Sequence, residues 1–312
     1  MVVVQRMVKV FPWPATMLAL ALLVSGCTGD ASRSPDLEAG LGLAETDTAG
    51  ADSGALESPA PDAGMLALRW PSDPTALDPA SPAQWTVSVL DTAPHDPDAF
   101  TQGLERLADG RLIESTGRRG VSDIRIVDPA TGSVERAVAL DDTEFGEGLT
   151  VVDDTVIQLT WQEEVARRWR LPNLDPLPPF TYEGEGWGLC YDNSRLAMTD
   201  GSATLTWRDP ETFAVLDSVT VRLAGEPVAS LNELECVDDL VLANVWKSPI
   251  VLVIRPDGAV IATIDATSLV ETVASNDPTR DVLNGIAAEP DGTFSMTGKL
   301  WPTRFVVRLV SE

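Results

Sequence analysis

A glutamate set between two glycines, in Phe145-Gly146-Glu147-Gly148-Leu149, is the side chain of this sequence best placed to move protons. The usual competitors are scarce. His95, in Pro94-His95-Asp96-Pro97, is the one histidine, so a multi-histidine zinc site or a histidine-based triad lacks its parts. His95 reads as structural. Lys299, one of three lysines, lies between Gly298 and Leu300, an odd place for a solubilising charge. Positions equivalent to Phe145 and Glu147 recur along the chain as Phe100 with Gln102, then Trp187, Asn232 and Asn284, while Trp161, Trp246 and Lys299 close the strands that follow. Converging, these residues make a pocket with aromatic walls and a few polar groups, the usual form of a small-ligand site. A carboxylate among aromatic rings is poorly solvated and takes up protons nearer neutrality, which suits general acid–base work. Each residue also has a plainer reading. Trp161, Trp187 and Trp246 serve equally as packing aromatics, and Gln102 and Asn232 as turn-capping amides.

The elements that position these residues form a repeat. Five stretches share a small or polar residue, a glycine-like position and Leu or Ile: Phe100–Leu104, Phe145–Leu149, Glu185–Leu189, Leu231–Leu234 and Leu283–Ile286. Each runs into a turn rich in Asp, Asn or Gly and then a second β-rich run such as Leu112–Ser115 or Leu240–Ala243. The copies start roughly 40–50 residues apart, the length of a four-stranded propeller blade. The expected fold is therefore all-β, a five-bladed β-propeller over residues 84–312. Trp85–Leu90 supplies the strand missing from the fifth copy. In such a ring the first strand of every blade lines the axis, and slots distant in sequence become neighbours.

Composition sets the limits. There are 48 acidic and 22 basic residues and a formal charge of −26, which excludes nucleic acid as a partner because phosphate binding needs clustered Lys and Arg. Residues 1–26 carry Arg6 and Lys9, then an apolar run too short for a comfortable membrane span, then Leu22–Cys27, a lipoprotein-type signal with Cys27 as the lipidation site. Residues 27–83, rich in Ala, Gly, Ser, Pro, Asp and Glu, read as a disordered acidic tether in which Leu66–Trp70 could dock locally. The localisation expected is the exported face of a bacterial cell envelope, held by lipid. Cys190 and Cys236 read as two buried thiols, with pairing left open.

In order, Pro94–Leu104, Phe145–Thr150, Glu183–Leu189, Met198–Leu205, Leu231–Glu235, Ala243–Trp246, and Val282–Ala287 with Thr297–Trp301 resemble the plant and bacterial type of glutaminyl-peptide cyclotransferase. The resemblance implies a transferase that converts N-terminal glutamine of peptides or proteins to pyroglutamate with release of ammonia, without a metal or other cofactor. A structural calcium is left undecided. It puts the essential acid on Glu147, the aromatic substrate-binding positions on Phe100, Phe145, Trp161, Trp187 and Trp246, and polar pocket roles on Gln102, Asn232 and Lys299. Two other readings compete, a non-catalytic propeller lipoprotein acting as an envelope binding scaffold and a calcium-dependent propeller hydrolase. The hydrolase wants several carboxylates on one axial metal, where these slots supply indoles.

Overall fold

The computed structural model describes residues 69–276 and 282–312. The signal-peptide reading, Cys27 and the tether up to residue 68 lie outside the described residues. The first long strand, β1 (Ala83–Pro94), follows a 3-10 turn at Pro74–Ala76 capped by Asp73. Four antiparallel strands then repeat the same course three times in sequence order. The first set is β2 (Thr101–Arg106), β3 (Leu112–Thr116), β4 (Asp123–Val127) and β5 (Val134–Ala139). The second is β6 (Gly146–Val152), β7 (Thr155–Thr160), β8 (Val165–Arg170) and β9 (Asp175–Thr181). The third is β10 (Leu189–Tyr191), β11 (Leu196–Thr199), β12 (Thr204–Arg208) and β13 (Val215–Thr220). A two-stranded ladder, β14 (Arg222–Leu223) with β15 (Glu226–Pro227), leads on to β16 (Leu231–Val237), β17 (Leu240–Val245), β18 (Ile250–Ile254) and β19 (Val260–Asp265).

The helix α1 (Thr267–Asn276) comes next, with Asp265 Oδ1 accepting from Thr267 N at 2.8 Å and Leu269 and Val273 buried one turn apart. The chain ends in β20 (Leu283–Ala288), β21 (Phe294–Gly298) and β22 (Thr303–Ser311). The run expected to complete this last set does so. β1 pairs antiparallel with β22, from Trp85 opposite Ser311 to Pro94 opposite Thr303. β1 also pairs in parallel with β19 over Ala83–Thr86, which joins the last two sets into one eight-stranded sheet, a pairing the repeat does not predict.

Burial explains the texture of the sequence. β3 is buried along its whole length, whereas β5 and β13 are mostly exposed. The second strands are the most buried, whereas the third strands β4, β8 and β12 alternate buried and half-buried positions; among the fourth strands β19 is the buried exception. The apolar cores lie between successive sheets. Ile113, Ile124 and Ile126 meet Leu149, Val156 and Trp169, and Ile157 and Leu159 meet Leu189, Leu196 and Met198. Each such fully buried aliphatic side chain contributes on the order of 1.5–3 kcal/mol of burial energy.

The first strands adjoin one another in the cycle β2–β6–β10–β16–β20 and back to β2. The shared glycine is what permits the approach: a Cβ on Gly148 would stand 2.7 Å from Leu189 N, and one on Gly188 would stand 2.0 Å from the carbonyl oxygen of Asn232. Buried carboxylates tie neighbouring first strands. Glu105 Oε2 accepts from Val151 N at 3.0 Å, Glu233 Oε2 from Ile286 N at 3.1 Å and Glu235 Oε1 from Ala288 N at 2.8 Å. The expectation of two free thiols is overturned. Cys190 on β10 and Cys236 on β16 form a disulfide, because adjacent first strands bring together cysteines 46 residues apart in sequence. Packing also reaches back before β1: Trp70 lies against Trp85 and Phe294, and Arg69 pairs with Asp238 at 3.3 Å.

Candidate active site

First and second strands of each set are antiparallel, so the start of one lies beside the end of the other. The slot residues and the residues closing the second strands therefore share one end of the sheets. Backbone hydrogen bonds fix the match: Trp161 N donates to Phe145 O, Trp246 N to Ser230 O and Lys299 N to Val282 O, at 2.9, 2.8 and 3.0 Å. Gly117 holds the equivalent place in the first set, donating to Phe100 O at 2.8 Å.

Glu147 is buried, and Gln102 Nε2 donates to its Oε1 at 3.0 Å. Gln102 is itself held, its Oε1 accepting from Asn284 Nδ2 at 3.3 Å while the same amide donates to Thr101 O at 2.9 Å. Burial pushes the pKa of Glu147 well above the usual glutamate value; the charge of Lys299 pulls it down, and those of Glu185 and Glu163 push it up again. Lys299 is buried, with its ammonium 5.0 Å from the centre of the Phe100 ring. Asn232 is buried too, and its Oδ1 has no hydrogen-bond partner among the described residues.

The aromatic residues form two groups of touching rings, joined through the carboxylate of Glu185, which accepts from both Trp161 and Trp187. Phe100 meets Phe145 edge-on at 6.1 Å, Phe145 meets Trp161 at 5.7 Å, and Trp187 meets Trp246 at 5.7 Å. Trp246 is 41% exposed, whereas Trp85, Trp207 and Trp301 are 2% exposed or less, which sets it apart from the tryptophans packed in the cores. The guanidiniums of Arg118 and Arg119 and the ammonium of Lys247 lie over Phe100, Trp161 and Trp246, at 4.5, 5.5 and 4.3 Å from the ring centres. All nine expected pocket residues thus lie at the same end of the sheets, eight of them linked by ring contacts or hydrogen bonds to another wall or pocket residue, and Asn232 through its backbone against Gly188. His95 sits just behind them. Its Nδ1 meets Trp301 O at 2.7 Å and its Nε2 meets Glu114 Oε1 at 3.0 Å, so it holds the turn that carries Lys299. Burial lowers the pKa of this imidazole, but the charge and hydrogen bond of Glu114 outweigh that and leave it raised. Among the described residues no group of three or more His, Cys, Asp or Glu side chains is arranged to hold a metal ion.

A buried acid held by an amide, a nearby lysine and an aromatic wall agree with the order of motifs in the sequence. The sequence profile of glutamine cyclotransferase matches residues 64–309. The chain belongs to the glutamine cyclotransferase family. A glutaminyl-peptide cyclotransferase of Arabidopsis thaliana is 41% identical over 227 residues, spanning 72% of this chain and 71% of that one. The crystal structure of Myxococcus xanthus glutaminyl cyclase matches with a TM-score of 0.70 at 39% identity, over 74% of this chain and 100% of that one.

One residue of this cyclotransferase site escapes the sequence reading. Glu185 accepts from Trp161 Nε1 at 2.8 Å and from Trp187 Nε1 at 3.0 Å, both on Oε2. The signal was present, since Glu185 stands two residues before Trp187, as Phe100 does before Gln102 and Phe145 before Glu147. An acid in a slot filled by rings at Phe100 and Phe145, and by Ser230 and Val282 in the last two sets, looks like a turn residue until its partners are known.

Proposed function

We propose that this chain is a glutaminyl-peptide cyclotransferase that closes N-terminal glutamine of peptides or proteins to pyroglutamate, with Glu147 as the proton shuttle. Family membership supports the reaction, and the single observation that carries the mechanism is a buried carboxyl held by Gln102 beside an aromatic wall. The neutral α-amine attacks the side-chain carboxamide carbon, forming the ring C–N bond. Glu147, as carboxylate, takes one proton from that nitrogen and returns it to the departing amide nitrogen, which leaves as ammonia. The carboxylate is regenerated. Ring closure is intramolecular, so holding the folded side chain supplies much of the rate. The rings of Phe145, Trp161, Trp187 and Trp246 form that mould and exclude water.

One N–H of Gln102 holds Glu147, and Lys299 with the side-chain amide of Asn232 stabilises the carbonyl oxygen as charge develops. The unpartnered Oδ1 of Asn232 accepts a substrate N–H. These groups complete the chemistry without a metal ion. We read the body as a five-bladed propeller, supported by the cycle of five first strands and by β1 completing the last set. The lipid anchor at Cys27 and the envelope location rest on residues 1–27 of the sequence.

The test is ammonia release from a Gln-initiated dipeptide by the purified chain and by Glu147→Gln. The parent releases ammonia; the variant melts at or above the parent's temperature and loses at least ~10²-fold in kcat, the scale of general acid–base catalysis. Activity of the variant within threefold of the parent refutes the shuttle.

A further inference from the structure

Glu185 has no part in the proton transfer above, yet its carboxylate is the junction of the aromatic wall. One oxygen serves both indole nitrogens, and the other accepts from Gln162 Nε2 at 2.9 Å. A half-buried indole N–H needs an acceptor, and sharing one fixes the two rings relative to each other. Trp161 then packs on Phe145, and Trp187 on Trp246, so four rings are registered through one side chain. A neutral amide oxygen could do as much. The charge therefore calls for a second reason, and the neighbours of Glu147 supply one.

We propose that Glu185 is a positioning residue for the cyclisation, whose carboxylate sets Trp161 and Trp187 around the glutaminyl side chain and whose fixed negative charge tunes Glu147. This rests on the cyclotransferase reading. Glu147 is faced by Gln102 from β2 through a hydrogen bond, by Lys299 from the turn after β21, by Glu185 from the β9–β10 connection, by Glu163 from the β7–β8 turn and by the buried phenol of Tyr182. Glu185 is met by Gln162, Trp187 and Trp161. Burial raises the pKa of Glu185, but those three hydrogen bonds outweigh it and hold the carboxyl below the usual glutamate range. Glu185 is therefore ionised across the range in which Glu147 takes and gives protons. As a like charge it favours the protonated form of Glu147, opposing the buried ammonium of Lys299.

Glu185→Gln and Glu185→Ala separate the two parts. The glutamine keeps an acceptor oxygen for both indoles, with the Gln162 amide turned over to meet the new one, and removes only the charge. The alanine removes both. With a Gln-initiated dipeptide, the acid limb of the kcat–pH profile, which reports groups in the bound complex, moves down by about half a unit in Glu185→Gln, the scale of one solvent-screened like charge. Its KM stays within about twofold of the parent's. Glu185→Ala moves the limb likewise and raises KM about tenfold, because both indoles lose their anchor. A merely structural carboxylate would lower the melting temperature without moving the limb, so a superimposable profile for Glu185→Gln overturns the electrostatic part. A parental KM in Glu185→Ala overturns the positioning part. Turnover by the parent with unresponsive Glu185 variants sinks this inference alone, whereas no ammonia from the parent sinks the cyclotransferase reading and this with it.

Discussion

Replacing Gly117 by alanine adds one methyl group where the aromatic wall meets the support of the acid. An ideal Cβ there stands 2.3 Å from Phe145 Cε1, 2.7 Å from its Cζ and 3.1 Å from Gln102 Cγ. Comfortable contact begins near 3.4 Å, so the ring must retreat by 3.4 − 2.3, about 1.1 Å, and Gln102 must give by a few tenths. Gly117 is not among the residues with positive φ, so alanine brings no backbone strain and its effect is the push alone. Overpacking of this kind costs about 1–3 kcal/mol, a fall of roughly 3–8 °C in melting temperature for a domain of this size. Activity falls much further. Displacing a positioning group by about 1 Å costs on the order of 10²-fold in rate, and here both Phe145 and the amide that holds Glu147 are moved.

The assay pairs steady-state ammonia release from a Gln-initiated dipeptide with thermal melts. Gly225→Ala is the control: its φ of +90° strains an alanine, but no atom lies within 4 Å of the added carbon. That variant loses about 1–2 kcal/mol through the left-handed backbone and keeps kcat/KM within about twofold. Gly117→Ala loses about 10²-fold at comparable stability. If it retains activity within threefold, or if Gly225→Ala falls as far, the placement of Phe145 in the substrate pocket is wrong.

Two further outcomes concern stability. The Cys190–Cys236 bridge closes a loop of 46 residues, worth about 4 kcal/mol in the chain-entropy account, so a double serine variant melts about 10 °C lower and no longer responds to reductant; an unchanged melt refutes the bridge. Burial lifts the pKa of Glu105 to about 7, its hydrogen bonds with Thr150 and Val151 lowering it in part. Between about 4.5 and 7 the folded chain keeps a proton that the unfolded chain has released, so this group lowers stability as pH rises through that window. Glu105→Gln, which keeps an acceptor for Val151 N, melts above the parent at pH 8 and with it at pH 4; equal increments at both pH values contradict the assignment.

The sequence by itself determined the repeat and, through it, which side chains the candidate site draws on. Alternation and turn chemistry are local, so they report which strands are buried and where each begins; that was enough to place Phe100, Gln102, Phe145, Glu147 and Asn232 in equivalent first-strand slots, to place Lys299 at the end of a second strand, and to find the strand of β1 that completes the last set. What depends on which slots face each other was decided by the ring of first strands. Sequence types could not tell a pocket tryptophan from a packing one; the difference between Trp246 and Trp207 is one of exposure, set by neighbours far along the chain. The bridge between Cys190 and Cys236, the parallel joining of β1 to β19 and the hold of Glu185 on two indoles are all contacts across sets. Local pattern carries the burial of a residue, but the partner of a buried polar group is fixed only when the first strands of different sets come together.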